Sequence, residues 1–226
     1  MSELSDLIRT ERLVFADFLE TLSPDELATP SLCGAWTVQE VGAHLASATG
    51  LEARELLRQL VRSGFRLNHA SAELAKRWNR RGLEEIVRRL RENAETGAKP
   101  PGVPQLAALV DPVVHAIDVR RPLGKPREVS PEVFALVADF SVGLRWPMNV
   151  SVGGNPRKRL AGVRLVAEGY DWAYGEGTEV RASGEAVLRL LNGRPVERGE
   201  LTGPGADQLA ARTATAARDS RGRRTR

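Results

Sequence analysis

Leu106-Ala-Ala-Leu-Val-Asp111-Pro-Val-Val-His115-Ala-Ile-Asp118-Val119 is apolar or proline at every position except Asp111, His115 and Asp118. Residues three and four apart on a helix lie one turn above each other, so these three share one stripe. A helix that is apolar on its other faces is a buried helix, and its carboxylates and imidazole are costly there unless hydrogen-bonded, paired with charge or bound to a metal. Asp111 and His115, four apart, can converge on one point, and a metal ion is a natural occupant. A second reading stands beside it: an aspartate before a proline is a normal helix N-cap, and Asp111 would then bond only its own helix.

One carboxylate and one imidazole are too few for a catalytic divalent site, which takes about three protein ligands plus water. The chain offers three histidines, His44, His69 and His115. His44 lies in Trp36-Thr-Val-Gln-Glu40-Val-Gly-Ala-His44-Leu45, where Thr37 and Glu40 form a capping box and Val38, Val41 and Leu45 an apolar face. It falls two turns into that helix and points toward or along the core, which makes it the better third ligand. His69 opens a charged segment and caps or faces water. Asp118 either orients His44 or His115 from behind or pairs with an arginine such as Arg120 or Arg121.

The stretch Leu32-Cys-Gly-Ala-Trp36-Thr-Val-Gln-Glu40-Val-Gly-Ala-His44-Leu45, followed by Asp111 to His115 and by Asp118-Val-Arg-Arg-Pro-Leu-Gly124, resembles the actinobacterial mycothiol-dependent maleylpyruvate isomerase family. The resemblance extends over roughly residues 5 to 210 and belongs to the wider DinB-like group of metal-binding helical bundles. It implies an α+β chain: a DinB-like four-helix bundle holding one divalent metal, commonly zinc, then a small sterol-carrier-protein-like α+β domain. Matched residue by residue, the family's histidine is His44 and its Glu-x-x-x-His pair is Asp111 and His115. The expected chemistry is addition of mycothiol or another low-molecular-weight thiol to a small electrophilic substrate, giving isomerisation or S-transfer. The chain departs from the pattern where the family's glutamate is an aspartate followed by proline. The alternative is therefore a bundle that binds a metal or small ligand at a degenerate site without turnover.

The organisation is read from periodicity and breakers. Leu4, Leu7, Ile8, Phe15, Phe18 and Leu22 mark a first helix, broken before a Ser23 to Glu26 capping box. A second helix runs from Val38 to about Val61. Arg-rich helical segments follow at about 67 to 80 and 83 to 95, then a Pro and Gly linker from Lys99 to Pro104 and the Asp111 helix. Ser130 caps a further helix to about Gly143. Val163 to Glu168 and Glu179 to Ala182 alternate like strands, and Ser183 caps a helix to Leu191. These signals divide the chain into a bundle over residues 1–147, a small α+β domain over 148–212 and a basic disordered tail over 213–226.

With 226 residues and 42% hydrophobic content the chain can bury a proper core. No apolar run approaches the ~20 residues needed to span a membrane, and Glu3 and Asp6 ahead of a helical pattern do not read as a signal peptide, so a cytoplasmic protein is expected. The single cysteine, Cys33, excludes an internal disulfide framework and reads as a packing residue, the other possibility being a thiol near the metal. The net charge of +4 comes almost wholly from residues 218–226, with five arginines and one aspartate. Elsewhere the acids and arginines are interspersed, so no specific nucleic-acid surface is expected. The expected partners are a small-molecule substrate and a thiol, with a monomer or homodimer as the assembly.

Overall fold

The computed structural model describes residues 3–34, 36–47, 58, 61, 67–99, 102–146, 148–150 and 154–222. It is mostly helical with one small sheet, an α+β chain, and it divides into two compact units, Met1–Arg127 and Glu128–Arg226.

The first unit is built from α1 (Glu3–Glu20), a short α2 (Pro24–Ala28), α3 (Val38–Ser47), α4 (Leu67–Asn79), α5 (Leu83–Thr96) and α6 (Gln105–Arg120). Helix α1 turns Ile8, Phe15, Phe18 and Leu19 inward at three- and four-residue spacing and packs on α5 and α6. Helix α5 answers with Ile86, Val87, Leu90 and Ala94 and turns Arg88 and Arg91 outward, where Arg91 pairs with Asp17 and Glu20 of α1. It stops at Gly97, whose φ of 65° closes the helix in the left-handed conformation that glycine adopts without a Cβ clash. Helix α3 crosses α4, α5 and α6, and comes so near α1 that a Cβ on Gly42 would lie 2.5 Å from Leu19 Cδ1.

Both capping boxes read from the sequence are formed. Ser23 accepts from the Glu26 N–H while Glu26 accepts from the Ser23 N–H, and Thr37 and Glu40 exchange the same pair of bonds. The expected continuation of the second helix to Val61 lies outside the described residues except for Arg58 and Val61, both helical.

The second unit contains α7 (Pro131–Gly143), a one-turn α8 (Pro156–Arg159), β1 (Val163–Glu168), β2 (Ala173–Tyr174), β3 (Thr178–Ser183), α9 (Gly184–Leu191) and α10 (Ala206–Gly222). The sheet order is β2-β1-β3, with β1 antiparallel to β2 and parallel to β3. Val163, Leu165 and Ala167 of β1 and Val180 and Ala182 of β3 point inward, against the apolar face of α9.

Two boundaries differ from the sequence reading. The units divide at Arg127 and Glu128, not after residue 147, because α7 packs on α9. Phe134 stacks on Tyr170 with centroids 4.0 Å apart, and Ser141 and Asn192 meet in a buried hydrogen bond. The segment expected to be disordered from residue 213 is helical to Gly222, since its alanines carry high helix propensity despite the lack of an apolar stripe. Among the described residues, no helix is long and apolar enough to cross a membrane.

Candidate metal centre

His44 is carried on α3 two turns past its capping box, so the fixed start of that helix sets where the imidazole falls. Asp111 and His115 lie one turn apart on α6. Helix α6 is continuous from Gln105 to Arg120 with Pro112 inside it, so Asp111 is an interior residue and not an N-cap. Proline has no N–H to give, which leaves the Ala108 carbonyl without its helical donor at position 112.

The three side chains converge. Asp111 Oδ1 lies 3.4 Å from His115 Nε2 and 3.9 Å from His44 Nε2, and the two imidazoles meet edge-on with centroids 5.1 Å apart. A tetrahedral ion about 2.0–2.1 Å from nitrogen and oxygen ligands holds neighbouring ligand atoms about 3.3 Å apart. The first separation matches that spacing, and the second closes to it with a shift of about 0.6 Å. Two imidazoles and one carboxylate are also the donor set of open, catalytic zinc sites. Asp111 is 38% exposed and His44 22%, so the cluster faces outward on their side while His115 is buried.

Behind His115 stands a second layer. Its Nδ1 lies 2.9 Å from Oδ2 of Asp118, a fully buried carboxylate. A proton held on Nδ1 by that contact makes Nε2 the nitrogen that faces Asp111 and His44 and that becomes a ligand once its own proton is lost. Cys33 Sγ donates to the same Asp118 oxygen at 2.9 Å and lies 3.4 Å from His115 Nδ1. Its loop is tied to the helix: the Leu32 N–H donates to the Asp118 carbonyl at 3.0 Å, a group whose helical donor is missing because residue 122 is proline. Trp36 covers His44 with centroids 4.8 Å apart, and its buried indole N–H meets no acceptor among the described residues.

Charge in the cluster is mutually supported. Burial alone pushes the Asp111 carboxyl up, yet the hydrogen bond to His115, the charges of His115 and His44 and the nearby Arg12 guanidinium hold it down at about 2. Burial lowers His115, but Cys33, Asp111 and Asp118 around it outweigh that and raise it well above the ordinary histidine value. Arg12, which donates to the Asn93 carbonyl at 2.7 Å, lines with Asp111, Phe15, Leu45 and Leu90 a small cavity between α1, α3, α5 and α6.

The sequence therefore named His44, Asp111, His115 and Asp118, which the fold brings together, and His69 is exposed as anticipated. It missed Arg12, which no local pattern marks, and it treated Cys33 as packing. The one signal for Cys33 was its place just ahead of the His44 helix.

Residues 8–99 match the family model described as Mycothiol maleylpyruvate isomerase N-terminal domain. That segment contains His44 and ends before Asp111. No curated protein and no solved structure matches the chain.

Proposed function

We propose, from the match of residues 8–99 to the mycothiol maleylpyruvate isomerase N-terminal domain family, that the protein is a metal-dependent isomerase or S-transferase that adds a low-molecular-weight thiol to a small electrophile. The thiol is mycothiol or a relative of it, and His44, Asp111 and His115 hold a divalent ion, zinc. The observation that carries the reading is the convergence of His44 Nε2, Asp111 Oδ1 and His115 Nε2 from two helices, all within 4.8 Å of one another. In this reading the first unit is a DinB-like four-helix bundle and the second a sterol-carrier-protein-like domain. The protein works as a monomer or homodimer in the cytoplasm.

A bound divalent ion with an open position lowers the pKa of a thiol or water next to it and so supplies a nucleophile at neutral pH. The chain's own residues prepare that position. Asp111 is ionised throughout the physiological range and contributes the one negative charge among the ligands. Asp118 fixes the His115 tautomer by holding the Nδ1 proton, and Trp36 packs over the His44 ring at a tilt. The cavity beside Arg12 and Asp111 gives the exposed side of the cluster apolar walls with a single positive group.

A second reading, binding without turnover, is favoured by Asp111 in place of a glutamate with Pro112 directly after it. Elemental analysis of purified, untagged protein tests the first step. The expected result is about one equivalent of zinc in the wild type, lost in His115→Ala. A thiol-conjugation assay on the loaded protein then separates the two readings. No metal after reconstitution would sink both.

A further inference from the structure

His115 presents its other ring nitrogen to a second set of ligand atoms. Cys33 Sγ, Asp118 Oδ2 and His115 Nδ1 form a closed triangle with sides of 2.9, 2.9 and 3.4 Å, contributed by the loop before α3 and by α6. Asp118 has no exposed surface, His115 is 8% exposed and Cys33 half-buried, so the triangle is shielded but reachable from the cysteine side. The three groups differ from the first cluster in one chemically decisive way, the sulfur.

We propose that Cys33, Asp118 and His115 form a second cation site, selective for a thiophilic divalent ion, on the opposite side of the His115 ring from the His44 and Asp111 cluster. Thiolate, imidazole and carboxylate together are a donor set for zinc and its softer relatives, whereas the first cluster offers only nitrogen and oxygen. A tetrahedral ion about 2.3 Å from sulfur and about 2.0–2.1 Å from nitrogen and oxygen separates these ligand atoms by about 3.3–3.6 Å. The triangle is slightly tighter than that, as expected of a set held together by hydrogen bonds, and small side-chain rotations open it. The backbone does not need to move, because Leu32 is already tied to the Asp118 carbonyl.

Binding replaces two hydrogens with one ion. Starting from His115 protonated on both ring nitrogens, the S–H bond of Cys33 and the N–H bond at His115 Nδ1 break, both protons go to solvent while the Nε2 proton stays, and metal–sulfur, metal–nitrogen and metal–oxygen bonds form. Before the ion enters, the same contacts hold the His115 tautomer that the first site needs. With the ion in place, the remaining proton sits on Nε2, so a single ion chooses between a nitrogen and oxygen set and a set with sulfur. Occupying both sites makes the imidazole a bridge and costs that last proton.

The test is a cadmium titration of the metal-free full chain, followed by thiolate-to-metal absorption in the ultraviolet and by cadmium content. The wild type is expected to develop the absorption, to keep it in His44→Ala, and to lose it in Cys33→Ser, with affinity at the sulfur site at least tenfold weaker in Asp118→Asn. Cys33→Ser keeps the hydrogen bond to Asp118, so its fold is expected to survive. Should it not, cadmium magnetic resonance of the wild type reports sulfur ligation directly. Cadmium bound without a sulfur signal, or no cadmium bound, overturns the proposal. Zinc bound through His44 in Cys33→Ser, with no sulfur signal in the wild type, leaves the function proposed above intact while this site fails.

Discussion

His115 is the residue on which the centre turns, since each ring nitrogen faces a different carboxylate. Removing the outer support should weaken metal binding at the His44, Asp111 and His115 set without removing one of its ligands: Asp118→Asn is expected to lower zinc affinity there roughly 10- to 100-fold in a competition titration with a chelator. Proton and metal also compete for this imidazole. In the metal-free protein a raised His115 contributes stability that is complete below pH 6.5 and fades as the pH rises through its folded value. Depressed Asp111 acts in the opposite sense, with its contribution present above pH 3.8 and lost as the pH falls toward about 2. Zinc must displace the His115 proton, so the gain in Tm on loading should grow from about pH 6 to about pH 8 in paired melts. A gain that shrinks over that range would mean His115 is not a ligand. At this scale Asp111, His115 and Asp118 were legible because polar residues in an apolar helix demand a partner. Cys33 and Arg12 were not, because their neighbours in the cluster lie on other segments.

Elements set the spacing of the centre, and α3 and α6 carry its proposed ligands at the depth to which α1 admits them. The close approach at Gly42 makes this measurable. Gly42→Ala gains helix propensity but drives a methyl into Leu19, a residue with no exposed surface. The expected net loss is about 1–2 kcal/mol in denaturant unfolding, with zinc affinity lowered as α3 shifts. Glu11 on α1 has a different task. It is buried and takes two bonds from Arg127 at 2.7 and 2.8 Å, which ties α1 to the end of the first unit. Because Arg127 keeps some contact with water, Glu11→Ala should cost about 1–3 kcal/mol, less than breaking a fully buried pair. Helix starts were readable from Ser23, Thr37, Ser130 and Ser183, where side-chain capping is a local interaction. The continuity of α6 through Asp111 and Pro112 was not, since local chemistry at an aspartate–proline pair favours a helix start. Burial of Val110, Val113 and Val114 around the pair favours the continuous helix.

For the whole molecule, the two units carry separate burdens, with all the proposed metal ligands inside Met1–Arg127. Zinc should therefore slow amide hydrogen exchange in α3 and α6 and leave β1, β3 and α9 unchanged. Equal protection of the sheet would show that the ion is read by both units. Helix α7 illustrates why the division was misplaced from sequence: its apolar face fits a bundle or a sheet layer equally well, and only Phe134 against Tyr170 and Ser141 against Asn192 assign it.

Sequence by itself determined most of the helices, though not α8 or α10, the caps at Ser23, Thr37, Ser130 and Ser183, the two alternating strands and the polar stripe of α6, because each of these follows from interactions between residues close along the chain. Tertiary structure alone decided that Asp111 is not a cap, that α7 belongs with the sheet and that Cys33 stands against Asp118. These outcomes depend on which faces meet across tens of residues, and no local propensity carries that information.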